Sequence, residues 1–287
     1  MISTDIEFSA PGTLAGVLGV LAEFEYDVTV LSGGMSLLPM MNLGLATPDR
    51  VVSLNRVDTL CSVADDGAEL VIGARVRHAQ VAADPLITRH CPALAAAAAR
   101  IGDVQIRNRG TIGGSISHAD PSADYLPALT ASGATIVLES SAGGRRELPT
   151  REFFIDLMFT ARQPSELVTE IRVPKLRSGW GAAYVRFARV EGSFAIVNAA
   201  AVLSADGSGG SLALGGVGPR PVPVDIADLS SSGWGAAAVQ EAGDRAFEAS
   251  TGATDDPMSD AEYKREMARV HARRVVRAAA DLAGAAR

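Results

Sequence analysis

Soft metal ligands are scarce in this chain. Two cysteines, Cys61 and Cys91, and four histidines, His78, His90, His118 and His271, are scattered through 287 residues. Neither cysteine has a His or Cys neighbour at ligand spacing. A [2Fe–2S] cluster needs four ligands, usually Cys, so the chain by itself cannot furnish one. Two cysteines make no disulfide framework either, and both are expected to be small buried apolar residues. No nucleophile–base pair stands out around the histidines; each is expected at the surface or hydrogen-bonded in place. Positive charge is also short, with 26 basic against 33 acidic residues and a net charge of -7. Binding a phosphate backbone needs a positive field, so nucleic acid is not the expected partner. No apolar run reaches the roughly 20 residues of a membrane span. Residues 1–7 lack the positive region of an export signal, so a cytoplasmic protein without a membrane span is expected.

Apolar residues make up 47%, enough for a real core, and a charged fraction of 21% argues against disorder. Residues 13–24 predict a short helix, with Thr13 as its N-cap and Leu14, Val17, Leu18 and Leu21 on one face. Residues 28–31 predict a buried strand ending at a glycine pair, and 50–54 and 69–73 two more strands. The alanine run 94–101 predicts a helix, and 134–138 a strand followed by a Ser-Gly turn at 140–144. Up to about Pro174 the mixture suggests α+β rather than a regular βαβ array. Beyond it, strand-like runs at 182–188, 195–203 and 211–216 precede helix-like stretches at 235–251 and 259–286. That order predicts a small sheet with helices packed on it, and a domain boundary near 174–180.

Two glycine segments carry the chemistry: Val30-Leu-Ser-Gly-Gly-Met-Ser-Leu37 and Gly110-Thr-Ile-Gly-Gly-Ser115. Each sets Gly-Gly among apolar residues with hydroxyls nearby. Phosphates need backbone N–H donors at close range, and glycine permits that approach because it has no Cβ. Ser32, Ser36, Thr111 and Ser115 add hydroxyls. A dinucleotide has two phosphates, so two such loops suit one ligand. A Gly-Gly after a strand is equally a plain turn, however, and neither loop is a GxGxxG or GxxxxGK[ST] motif. Arg107 and Arg109 precede the second loop and fit either a solvated surface or an anion site.

Together the segments resemble the medium, FAD-binding subunit of molybdenum hydroxylases, the xanthine dehydrogenase and carbon monoxide dehydrogenase family. The family's AGGxSLLPxM appears as Ser32-Gly-Gly-Met-Ser-Leu-Leu-Pro-Met40. Its QIRNxGTIGGNxxxADPxxDxP appears as Gln105-Ile-Arg-Asn-Arg-Gly-Thr-Ile-Gly-Gly-Ser-Ile-Ser-His-Ala-Asp-Pro-Ser-Ala-Asp-Tyr-Leu-Pro127. LGGVGPxP appears as Leu214-Gly-Gly-Val-Gly-Pro-Arg-Pro221, and the terminal helix as Tyr263-Lys-Arg-Glu-Met-Ala-Arg-Val-His-Ala-Arg-Arg274. The resemblance covers nearly the whole chain in the family's order. It implies an α+β fold: a two-part FAD-binding domain over 1–174, divided near 55–60, then a small antiparallel sheet-plus-helix domain over 175–287. It implies FAD as cofactor, held by Val30, Leu31, Ser32, Gly33, Gly34, Met35, Ser36 and Leu37 on one side. Thr111, Ile112, Gly113, Gly114 and Ser115 form the other side, Asp124 binds the cofactor, and Ile101 and Val168 flank it.

Three departures qualify that pattern. Ser115 replaces the commoner asparagine. Gly192-Ser-Phe-Ala195 stands where GDYA is frequent, so Phe194 takes the place of an aromatic that screens the flavin ring, without its hydroxyl. Ala188 stands where lysine is frequent, which leaves the flavin potential and the electron acceptor open. The family's division of labour implies an iron–sulfur subunit and a molybdenum-cofactor subunit as partners. The medium subunit's FAD passes electrons from the [2Fe–2S] clusters to a terminal acceptor. A stand-alone FAD-dependent oxidase or reductase of the same fold is the alternative. His118 follows the second loop and is expected to be a bystander to cofactor binding.

Overall fold

A computed structural model describes residues 6–285, without the side chains of 230–232 and 285. Residues 1–5 and the expected helix end at 286 lie outside the described residues. The chain opens with a three-stranded sheet, ordered Glu7–Ser9, Arg50–Ser53, Val28–Leu31. Both pairings are parallel, a local arrangement that the short runs did not disclose. The helix Leu14–Phe24 starts as expected, with the Thr13 hydroxyl accepting from the Gly16 N–H at 3.1 Å. It buries Val17, Leu18 and Leu21 against Val52 and Leu54. The strand Val28–Leu31, expected to be buried, is only half-buried along its length, because one side lines a cavity.

A five-stranded antiparallel sheet follows, ordered Val63–Asp66, Glu69–Gly73, Leu167–Pro174, Thr135–Ser140, Gly144–Pro149. Short helices pack on it, among them Pro92–Ala99, which has proline in its first turn where the missing N–H costs nothing. The last sheet is antiparallel: Trp180–Phe187, Val197–Ser204, Gly210–Gly215 and the unanticipated edge strand Val222–Val224. Helices Ala236–Ala249 and Ala261–Ala285 follow this sheet.

Strand alternation gives this last sheet two jobs. Ala183, Val185, Ala199, Ala201, Leu212 and Leu214 face the two long helices. Tyr184, Ala200, Val202 and Ala213 face the other way, onto the core of the preceding part of the chain. Small side chains on that second face let the helices Pro92–Ala99 and Tyr125–Ala131 lie close beneath it. The helix Ala261–Ala285 packs directly on Gly181, where an added Cβ would lie 2.1 Å from the Ala279 carbonyl oxygen and 2.4 Å from the Ala283 nitrogen. Gly181→Ala is therefore expected to destabilise the protein by about 1–3 kcal/mol in urea unfolding. Gly19→Ala, in an open helical position with nothing within 4 Å, is expected instead to stabilise it by up to about 1 kcal/mol.

Candidate functional site

A cavity of about 490 Å³ opens between the first sheet, the second glycine segment and the 192–194 loop. Its size lies within the range of roughly 300–1,000 Å³ typical of ligand sites. All the residues expected at the site line it except one. Val30 to Leu37 form one wall, and Thr111 with Gly113 to Ser115 the facing wall. Ile101, Asp124, Val168 and Phe194 line it elsewhere. Ile112 does not: it is fully buried in the core, because it lies on the inner face of the helix Ile112–His118.

The two glycine segments meet backbone to backbone. A Cβ on Gly33 would come 2.4 Å from the Arg109 carbonyl oxygen and 2.7 Å from the Gly110 Cα. The Ser32 and Thr111 hydroxyls share a hydrogen bond of 3.0 Å across the junction. Gly34 has φ +76, which only glycine adopts readily, and it turns the chain from strand Val28–Leu31 toward helix Leu37–Asn42. The loops differ in what they offer a ligand. In the second, the N–H groups are already used: Ile112 donates to the Val76 carbonyl (3.0 Å), Gly113 to Ala74 (2.9 Å) and Gly114 to the Thr111 hydroxyl (3.2 Å). In the first, the N–H groups of Gly33, Gly34, Met35 and Ser36 donate to no acceptor among the described residues. Gly113 explains the closeness of the second loop: its Cβ would strike the Ala74 Cβ at 2.5 Å.

Three residues missed in the sequence support Asp124, itself only 5% exposed. The Tyr184 hydroxyl donates to its carboxylate, and the Arg186 Nε lies 3.5 Å away. Asn198 donates to the carbonyls of Ser122 (3.3 Å) and Ala123 (3.4 Å) just before it. Burial raises the Asp124 pKa, while Arg186 and the Tyr184 hydroxyl oppose that shift. The Leu214-Gly-Gly stretch serves the same segment. The Gly216 N–H donates to the Pro121 carbonyl at 2.9 Å, and a Cβ on Gly215 would meet the Asn198 Oδ1 at 2.2 Å. Pattern alone did not reveal these contacts, although Tyr184 and Arg186 stand two apart on one strand and so share a face.

The cavity also has acidic residues, Asp120, Asp124 and Glu166, and one arginine, Arg162. Arg162 donates to the carbonyls of Gln163, Pro164 and Glu166 at 2.9, 3.2 and 2.9 Å. Glu166 is paired with Arg146 at 2.6 Å. His118, at the end of the helix Ile112–His118, lines the cavity. Phe194 is 59% exposed, at the mouth. The described residues contain no cluster suited to a metal ion.

His78 supports the second loop from behind. Its backbone N–H donates to the Gly110 carbonyl at 3.0 Å. Its Nδ1 shares a 2.9 Å hydrogen bond with the Tyr125 hydroxyl. Gly110 is glycine because a Cβ there would lie 2.4 Å from His78 Nε2.

Residues 4–176 match the family model for the FAD binding domain in molybdopterin dehydrogenase, and residues 182–279 that for the CO dehydrogenase flavoprotein C-terminal domain. The chain belongs to the family of FAD-binding medium subunits of molybdenum hydroxylases; its cofactor is FAD, and it is an oxidoreductase subunit. It is 36% identical over 284 residues to the carbon monoxide dehydrogenase medium chain of Hydrogenophaga pseudoflava, covering 97% of this chain and 98% of that one. It is 38% identical over 192 residues to the 6-hydroxypseudooxynicotine dehydrogenase complex subunit alpha of Paenarthrobacter nicotinovorans, 67% of this chain and 64% of that subunit. Its fold matches reconstituted CO dehydrogenase from Oligotropha carboxidovorans with a TM-score of 0.93 at 30% identity, covering 98% of this chain and 100% of that one.

Burial, with help from Arg107 and Arg77, lowers the His78 pKa from its ordinary 6.5 to about 4. Between those values the unfolded chain binds a proton that the folded chain refuses. The stabilising contribution is thus whole above pH 6.5 and is lost as pH falls toward 4. Its full size is about 3 kcal/mol. In urea unfolding at a series of pH values, the difference in stability between wild type and His78→Asn is expected to shrink over that window.

Proposed function

We propose that the cavity holds FAD with its pyrophosphate against the first glycine loop. The supporting observation is the row of N–H groups from Gly33 to Ser36 that have no acceptor among the described residues. An anion there receives hydrogen bonds directly from backbone at close range. Since the cavity's arginine is occupied by carbonyls, these N–H groups, the one hydroxyl proton that the Ser32–Thr111 pair leaves free and the Ser115 hydroxyl do the work that cations do elsewhere. The second loop gives shape: its glycines let the walls close on a thin ligand. Asp124 serves as a hydrogen-bond acceptor for a cofactor hydroxyl, Ile101 and Val168 bound the apolar part of the site, and Phe194 screens the ring at the mouth. The FAD-binding part is assigned to 1–174, divided near 55–60, and the C-terminal domain to 175–287.

The bound flavin supplies a carrier that accepts electrons and passes them on. The chain's own task is to hold it, shield it from water and set its surroundings. In this reading the subunit stands between the [2Fe–2S] clusters of an iron–sulfur subunit and a terminal acceptor, beside a third subunit that carries the molybdenum cofactor. The described residues contain no helix long and apolar enough to cross a membrane.

Visible absorbance of the purified chain, with FAD added, tests the site. Wild type and Gly12→Ala, whose Cβ meets nothing within 4 Å, are expected to show flavin bands. Gly33→Ala forces the two loops apart and is expected to weaken FAD binding at least about tenfold, equivalent to 1.4 kcal/mol. Equal retention by Gly33→Ala and wild type would remove the first loop from the site. Co-purification of iron–sulfur and molybdenum subunits tests the placement in a complex.

A further inference from the structure

Arg186 stands where three walls of the cavity meet. Its Nε lies 3.5 Å from Asp124 Oδ1, and the two side chains are only 3% and 7% exposed. One of its terminal nitrogens donates to the Arg100 carbonyl and the other to the Ser193 carbonyl. Ile101 and Gly102, Asp124, and the run from Gly192 to Phe194 all line the cavity. These walls come from three separate stretches of chain, and the guanidinium comes from a fourth, the strand Trp180–Phe187 of the C-terminal sheet.

Neighbouring contacts act in the same direction. Asn198, paired with Arg186 across the sheet, holds the two carbonyls before Asp124. An ion pair between Arg100 and Glu191, 3.0 Å long, spans the same gap at the surface. Gly192 has φ +83, and a Cβ there would sit 3.4 Å from the Gly102 carbonyl oxygen. A guanidinium suits this position because its donors are fixed in a planar fork and serve several acceptors at once; an ammonium is a compact point donor.

We propose that Arg186 is the positioning residue of the FAD cavity: from the C-terminal sheet it holds Asp124, the turn at 100–102 and the loop at 192–194 in one arrangement. The cavity then takes its cofactor-binding shape only when the C-terminal domain is docked. The inference rests on the assignment of this cavity to FAD.

The test uses the full chain as wild type, Arg186→Met and Arg186→Lys. Two quantities are measured: the dissociation constant for added FAD, and the unfolding temperature with and without FAD. A merely structural arginine would lower the unfolding temperature of the apoprotein and leave the FAD-induced rise of the folded protein unchanged; the linkage between binding and stability separates the two. Arg186→Met is expected to weaken FAD at least about tenfold and to shrink the FAD-induced rise. Arg186→Lys retains charge beside Asp124 but not the fork on two carbonyls, so it is expected to fall between. Wild-type affinity in Arg186→Met overturns the proposal. If Arg186→Met does not fold, wild-type affinity in Arg186→Lys overturns it and weakened affinity supports it. Failure of the wild-type chain itself to take up FAD would overturn the FAD assignment and this inference together, whereas unchanged variants beside a flavin-loaded wild type overturn this inference alone.

Discussion

The site depends on a contact between two stretches of backbone. Gly33 rests on Arg109 and Gly110 with no room for a side chain between them. That contact brings the Ser32 and Thr111 hydroxyls within hydrogen-bonding distance and aligns two segments that are far apart in sequence along one cavity. Everything behind the second loop keeps it there: the Val76 and Ala74 carbonyls that take its N–H groups, and the buried His78–Tyr125 pair. Spending those donors on the protein makes the second wall rigid. Leaving the donors of the first loop free makes that wall receptive. A pair of glycine motifs that look alike in sequence thus have different physical tasks.

The C-terminal sheet is the second constraint. Its alternation gives it one face for the two long helices and another for the core of the FAD-binding part. The inner face is mostly small and apolar, which permits close packing. Tyr184, Arg186 and Asn198 are polar side chains on that face that turn to the segment ending at Asp124. A buried carboxylate is costly unless it is paired and hydrogen-bonded. The sheet provides both, so the second domain completes the cavity wall instead of only following it along the chain.

Much of this was legible from residue order. The capped helix after Thr13, the strand before Gly33, the strands at 69–73 and 134–138 and the long terminal helix all follow from local periodicity and caps, which act over a few residues. The parallel pairing of the first sheet was not legible, because pairing direction depends on partners distant in sequence. Nor was the half-exposure of Val28–Leu31: an apolar strand beside a cavity reads like an apolar strand inside a core. The place of His118 after the second loop was legible, and the pitch of the short helix Ile112–His118 decides that it reaches the cavity.

By itself the sequence determined which residue types could build the site: glycines where chains must touch, hydroxyls beside them, one carboxylate after them, and the ordered motifs that mark the family. Only the tertiary structure decided how those residues divide the work. Ile112 belongs to the core although its neighbours line the cavity, because a helix turns successive side chains in different directions. The free donors fall on one loop because the other had carbonyls within reach. Arg186 meets Asp124 because strand alternation and sheet docking bring them together, and no spacing in the chain records that distance.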